Sequence, residues 1–452
     1  NVDTKKIAIE VSEEETLNRL KINDMTIMSG NNADEKLIGI ITKVTKKRID
    51  FDENEDEQEE EWNCSANICN VTLVGSFYIK LGIKKRNIFK RSINTYPEIN
   101  SEVFLAEGEA LSIIMNSLDD TDSPATEKLM IGKYASNREV QAILDGNKFF
   151  QRHACIVGST GSGKSYTVAN ILEKTEKLPY ANIIVYDLHG EYTQLSYAEQ
   201  IKISDEKGGL HIPLWFFNYE EIHSLFIESS EGTSTNQRAA VVDYILKSKK
   251  EYIEKNMKEL SSDVVTADTP IPFSAHRLKE YLEKEDIRED ETGDFYKSGD
   301  NKGQPKTKKG QYNGKLTNLI MRLQTKMDDK KYGFVFNEDE TQNESYLNEF
   351  TRKIMGVDSS KKVKVIDLSE VPTDMLAIVI GIVTRLVYDV QFWMSPENNQ
   401  TRHPLAFVCD EAHIYMSNDM SSMRLAEKKS LEIFEKISKE NPNELKHVLN
   451  SL

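Results

Sequence analysis

The chain has 452 residues, more than one ordinary hydrophobic core organises, so two or three structural units are expected. Its 38% hydrophobic and 29% charged residues exclude an extended disordered chain and fit a folded one with a heavily solvated surface. A formal net charge of −16 excludes a protein that coats nucleic acid over its whole surface, although a local basic channel remains compatible with it.

Residues 1–115 alternate short apolar runs with turn formers. The runs Leu37-Ile-Gly-Ile-Ile-Thr42, Val71-Thr-Leu-Val74 and Phe77-Tyr-Ile-Lys-Leu81 read as strands. The turn at Tyr96-Pro97 precedes a further strand over 102–106, so a small all-β barrel is expected. The acidic run 52–61 reads as a solvated loop, with repulsion of nucleic acid from its face the alternative. Residues 116–127, with Asp-Asp-Thr-Asp-Ser-Pro, read as a linker.

From residue 128 strands alternate with helices, the pattern of a parallel sheet with crossover helices, so an α/β core is expected over 128–217 and 357–452. Its strands are Ala154-Cys-Ile-Val157, Asn182-Ile-Ile-Val-Tyr186, 362–368 and 405–409. A helix over 164–174 puts Val168, Ile171 and Leu172 on one face. The apolar stretch 375–393 is broken by Arg385 and Asp389 and reads as a buried helix, not a membrane span. No secretory leader is visible, and Cys64, Cys69, Cys155 and Cys409 lack metal or disulfide spacing. A cytoplasmic protein with reduced cysteines is the expectation.

Residues 218–356 interrupt the core as a mainly helical insertion, with helices over 236–260 and 316–327. Within it, 284–314 is charged and poor in apolar residues, so it reads as an exposed, flexible loop. Its Lys-rich part, 302–315, reads as solvated, with contact to nucleic acid the alternative.

Gly158-Ser159-Thr160-Gly161-Ser162-Gly163-Lys164-Ser165 matches the phosphate-binding loop: two glycines four residues apart, then Lys and Ser. Glycines permit positive φ and a close backbone approach, so successive N–H groups can converge on a β-phosphate at a helix N-terminus. Lys164 can reach the β- and γ-phosphates of ATP, the Ser165 hydroxyl can ligate Mg²⁺, and Tyr166 follows as the last residue of the nucleotide-binding set. The strand 405–409 ends in Asp410-Glu411, the form of a Walker B element: Asp410 beside Mg²⁺, Glu411 as the base that orients water. A third cluster, Asp187, His189 and Glu191, closes the second strand and is assigned to positioning water, Mg²⁺ or the γ-phosphate. Neither His189 nor His413 is a metal candidate, since magnesium prefers oxygen ligands.

Taken in order, Arg152-His153-Ala-Cys-Ile-Val-Gly158 through Ser165, then Asp187-Leu-His189-Gly190-Glu191-Tyr192, then Asp410-Glu411-Ala412-His413, resemble three motifs of the HerA branch of the FtsK/HerA family of hexameric DNA translocases. The amino-terminal unit, with Phe89-Lys-Arg-Ser-Ile-Asn-Thr-Tyr96-Pro97, is similar to the barrel that precedes the ATPase in that family. The resemblance implies a RecA-like P-loop core, a ring of six subunits with ATP at each interface, and double-stranded DNA in the pore. It also implies a nuclease or other effector protein docked on the barrel ring, in DNA end processing or anti-phage defence. Lys164, Ser165, Asp410 and Glu411 carry over by motif, and Arg152 sits where a trans-acting arginine is expected. Beyond Lys439-Glu440 the family continues into a strand ending in Ser-Gln-Arg-Pro, whereas this chain reads Asn441-Pro-Asn-Glu-Leu. The expectation is that residues are omitted between Glu440 and Asn441.

An ATP-driven duplex-DNA translocase or helicase is therefore expected. The alternative is an assembly scaffold whose bound ATP only stabilises a ring that gathers effector subunits. A conjugative coupling ATPase is disfavoured by the lack of membrane helices in the sequence.

Overall fold

The computed structural model describes residues 6–30, 35–48, 65–80, 86–93, 95–99, 101–118, 128–134, 138, 140–150, 153–179, 181–297, 302–393, 405–416, 428 and 432–437. The chain divides into two compact units, Asn1–Lys148 and Phe149–Leu452.

The first unit contains β1 (Lys6–Glu10), α1 (Glu14–Arg19), β2 (Met25–Ser29), β3 (Glu35–Arg48), β4 (Ser65–Lys80), β5 (Arg86–Lys90), β6 (Val103–Leu105), α2 (Gly108–Leu118), β7 (Lys128–Lys133) and β8 (Gln141–Asp145). Six strands pair antiparallel in the order β1-β4-β3-β2-β6, with β5 also on β4, and β7 pairs with β8 in a separate hairpin. Leu37 and Ile41 of β3 pack with Met28 and Val71, while Ile38 packs with Leu111 and Ile114 of α2. Both faces of β3 are thus covered, which is why it reads as an unbroken apolar run rather than an alternating one.

Three expectations change here. The unit is not all-β, because α1 and α2 belong to it, and among the described residues the pairing path is open rather than closed into a barrel. The two strands expected over 71–81 are one strand, β4, which pairs with β3 through two register shifts, and Leu81 lies outside the described residues. The expected linker begins inside α2, its remainder, 119–127, lies outside the described residues, and the β7–β8 hairpin stays with the first unit. The hairpin stays because Val140, just before β8, is buried against Ala106, Leu111 and Met115. The acidic run 52–61 and Cys64 also lie outside the described residues.

The second unit follows α3 (Gly146–Phe150), which straddles the boundary. It comprises α4 (Lys164–Thr175), β9 (Ile183–Asp187), β10 (Ala198–Lys202), α5 (Tyr219–Phe226), α6 (Ser234–Asn256), α7 (Ala275–Ile287), β11 (Glu289–Phe295), β12 (Pro305–Lys309), α8 (Thr317–Asp328), α9 (Gly333–Phe336), α10 (Ser345–Met355), β13 (Val363–Asp367), α11 (Thr373–Trp393) and β14 (Ala406–Cys409). Four strands form a parallel sheet in the order β10-β13-β9-β14. Every residue of β9 is buried: Ile183 and Val185 pack toward Leu172 of α4, and Ile184 and Tyr186 toward the cluster that holds α11 and the insertion. Helices on both faces make this the α/β arrangement that the alternating pattern implied.

Helix α11 is long and apolar enough to cross a membrane by length and composition, but 67% of its apolar window is buried inside the protein, so it is a core helix. Residues 218–356 are mainly helical, with α6 and α8 among their helices. The flexible loop expected over 284–314 is instead the end of α7 followed by an antiparallel hairpin, with Glu289 opposite Lys309 and Asp290 opposite Lys308. Backbone pairing, with Arg288 on Asp290 and Thr307 on Glu289, gives this segment an order that its apolar content did not suggest. Residues 298–301 lie outside the described residues.

The strand expected at Ala154-Cys-Ile-Val157 is absent: the segment is not in the sheet and is exposed, with Val157 at 83%. A strand needs a neighbour for its N–H and C=O groups, and no strand on the described edge of β14 reaches this one.

Candidate nucleotide-binding site

The loop Gly158–Ser165 is exposed and ends in α4. Gly161 and Gly163 have φ of 77° and 93°, a left-handed region where a Cβ would be strained, and Gly163 is the N-cap of the helix. At Gly158 the objection is space, since a Cβ would run into the Ser162 hydroxyl. These glycines leave a loop of backbone N–H groups open to solvent at a helix N-terminus, a ready anion site. Lys164 Nζ donates to the Gly158 carbonyl at 3.1 Å, folding the lysine back over its own loop. Ser165 sits at the first turn of α4, and the Tyr166 ring is 82% exposed.

Parallel pairing of β13 and β14 on β9 brings their carboxyl ends together, with Asp187 opposite Asp367 and Tyr186 opposite Cys409. Asp187 is fully buried, and its two oxygens accept three backbone N–H groups: His189 at 3.3 Å, Glu191 at 3.0 Å and Tyr192 at 2.8 Å. Its carboxylate is therefore committed to shaping the turn 188–192, in which Gly190 takes φ of 72° and His189 and Glu191 point to solvent. Tyr192, in contrast, is buried.

Asp410 follows β14 at the same edge. Its Oδ2 is buried and has no protein partner, an arrangement that water or a cation normally resolves. Burial, and then the negative charges of Glu191, Glu411 and Asp187, push its carboxyl up to about 6. A carboxylate raised by burial among other carboxylates, with an oxygen left open, is a donor set that fits a hard divalent cation, which would relieve the repulsion. Glu411 holds φ of 44°, one of two non-glycine residues with positive φ among those described, and its carboxylate pairs with His413 Nδ1 at 3.1 Å. Tyr415, almost wholly buried, donates its hydroxyl to the Asp410 carbonyl at 3.0 Å and fixes the backbone after the strand.

Residues 129–387 match the family model described as the central domain of the helicase HerA. The chain belongs to the HerA helicase family. It is 34% identical over 164 residues to a probable helicase of Methanocaldococcus jannaschii, covering 36% of this chain and 30% of that protein. It is 22% identical over 329 residues to the DNA double-strand break repair helicase HerA of Sulfolobus acidocaldarius, covering 72% of this chain and 55% of that one. The chain thus spans 30% and 55% of the lengths of these two relatives. VirB4 of Thermoanaerobacter pseudethanolicus aligns over 69% of this chain and 73% of that one, with 14% identity and a TM-score of 0.39, a likeness too slight to bear on the fold.

Of the residues expected at a HerA nucleotide site, Asp187, Glu191, Asp410 and Glu411 share the carboxyl edge of the sheet, where their charges act on one another. Ser165 reaches the same place through Tyr192, whose buried hydroxyl lies beside it and in the field of Asp410. Arg152 lies outside the described residues. Sequence reasoning did not single out Tyr192 or Tyr415 for the site. An aromatic immediately after a polar turn residue was the available signal for the first; the second, five residues past Asp410, had none.

Proposed function

We propose that this HerA-family chain is an ATP-driven motor on duplex DNA, working as a hexameric ring with a nuclease or other effector protein. The buried, unpartnered Oδ2 of Asp410 at the carboxyl edge carries this reading, because it is an oxygen left open at the position where a P-loop enzyme needs one. The glycine-shaped loop offers its N–H groups to the phosphates of ATP. Lys164, now on the Gly158 carbonyl, has the reach to exchange that oxygen for phosphate oxygens. Ser165 and Asp410 would hold Mg²⁺, which when bound neutralises charge on the phosphates. Glu411 is the base that orients the attacking water, and its left-handed backbone, a costly conformation for a side-chain residue, is consistent with a carboxylate held for function.

Arg152 is assigned to the neighbouring subunit's nucleotide, and a strand from residues omitted between Glu440 and Asn441 would give 154–157 the neighbour it lacks. The double-strand break repair relative supports a role in DNA processing, and a cytoplasmic location accords with that role. Displacement of streptavidin from a biotinylated linear duplex tests the motor. ATP-dependent displacement, abolished by Glu411→Gln in an intact particle, is the expected result. Hydrolysis without displacement, from a particle that still gathers a partner, would instead favour the scaffold.

A further inference from the structure

Tyr192 presents a problem that the motif does not explain. Its backbone N–H is bound by Asp187 at 2.8 Å and its ring is 1% exposed, yet its hydroxyl is buried without a hydrogen-bond partner. Burying an unsatisfied hydroxyl is destabilising, and a phenylalanine would fill the same space without that penalty. The second unsatisfied oxygen at this edge is Asp410 Oδ2. The Ser165 hydroxyl lies beside the phenol, short of hydrogen-bond geometry, and the charge of Asp410 acts on the phenol more strongly than any other. Two open buried oxygens therefore accompany the two side chains assigned to the metal, and neither oxygen is satisfied by the protein alone.

We propose that Tyr192 is a positioning residue for the metal pair: with nucleotide and cation bound, its hydroxyl hydrogen-bonds between the Ser165 hydroxyl and the Asp410 carboxylate and holds them in register. The phenol O–H donates to the Asp410 carboxylate and its oxygen accepts from Ser165, whose proton must turn away once its lone pair faces a cation. The anchor is firm because Asp187, buried at the end of β9, grips the main chain of Tyr192. Groups that orient metal ligands in this way typically contribute about 10- to 100-fold in metal affinity. This rests on the ATPase reading above.

The test is Tyr192→Phe in the full chain, read by Mn²⁺ electron paramagnetic resonance of the protein with ADP, by ADP affinity in EDTA, and by thermal melting without metal. The expected result is Mn²⁺ affinity lowered by about 10- to 100-fold, metal-free ADP affinity within about twofold of wild type, and a melting temperature unchanged or higher. In a Ser165→Ala background the same change should cost far less, because the partner is gone. Equal Mn²⁺ affinity in wild type and Tyr192→Phe overturns the proposal while leaving the ATPase reading intact. A variant that melts lower without metal makes the hydroxyl structural and overturns it too. A wild type whose ADP complex takes up no Mn²⁺ removes the ATPase reading itself, and this proposal with it.

Discussion

The Asp187 carboxylate accepts the backbone N–H of Tyr192 at 2.8 Å, and through this bond the end of a buried strand fixes a turn in front of the P-loop helix. Because the other two bonds to Asp187 also come from backbone, the residue acts on the site through the shape of 188–192 rather than by touching a nucleotide.

Asp187→Ala leaves three N–H groups without their acceptor, and Asp187→Asn replaces one oxygen by a donor. We expect Asp187→Ala to destabilise the second unit by about 2 to 4 kcal/mol and Asp187→Asn by somewhat less, since each lost charged hydrogen bond contributes roughly 1.5 to 3 kcal/mol before relaxation. Urea unfolding with nucleotide absent is the check. A neutral Asp187→Ala would remove the organising role.

Asp410→Asn should have the opposite sign. Removing a half-buried carboxylate that faces Glu191, Glu411 and Asp187 is expected to raise the stability of the nucleotide-free protein at pH 7.5 by about 1 kcal/mol. Stabilisation by Mg²⁺ with ATP should disappear in the same variant. Melting curves with and without ligand measure both, and a fall in the ligand-free melting temperature would contradict the electrostatic account.

Lys249 of α6 is buried, donates to the carbonyls of Ala267 and Thr269 at 2.5 and 2.6 Å, and lies over the Phe273 ring at 5.4 Å. Burial pulls its pKa down to about 7 from 10.5. Its folded-state pKa lies below the unfolded value, so the unfolded chain binds the extra proton between those limits. Stability from this group therefore rises with pH from about 7 to 10.5. Lys249→Met should cost more at pH 9 than at pH 6, by on the order of 2 kcal/mol after discounting the full shift. Equal losses at the two pH values would show that the lysine titrates normally.

The β11–β12 hairpin changes the reading of the Lys-rich tract. Lys308 and Lys309 stand at register positions opposite Asp290 and Glu289, so acidic residues accompany them on the neighbouring strand. Replacing Lys306, Lys308 and Lys309 by Ala should leave duplex-DNA affinity within about twofold and its salt slope unchanged, with a loss of under about 1 kcal/mol per pair in stability. A salt slope reduced by about two or three units would establish this hairpin as a DNA contact.

Much of the second unit was legible because buried parallel strands leave continuous apolar runs: β9, β13 and β14 were all visible, as was α11. Ala154-Cys-Ile-Val157 has the same texture, yet a strand is a relation to a neighbour, and local composition does not reveal whether that neighbour is there. The hairpin failed for the converse reason, since its order comes from backbone pairing and polar contacts such as Arg288 with Asp290 and Thr307 with Glu289, which a hydrophobicity reading treats as solvent-seeking. That Asp410 and Glu411 directly follow a strand could be read from an apolar run ending in two acids. That Asp187 would face inward to backbone and Glu191 outward to solvent depends on the path of the turn, set by Gly190 in the left-handed region.

The most direct test of the central claim is steady-state ATP hydrolysis by the full chain, with and without linear duplex DNA, beside Glu411→Gln and a mass measurement of the particle. We predict hydrolysis stimulated by DNA, lost in Glu411→Gln, from a particle six times the mass of the chain. A particle of that mass whose hydrolysis ignores DNA, or survives Glu411→Gln, would contradict the motor account.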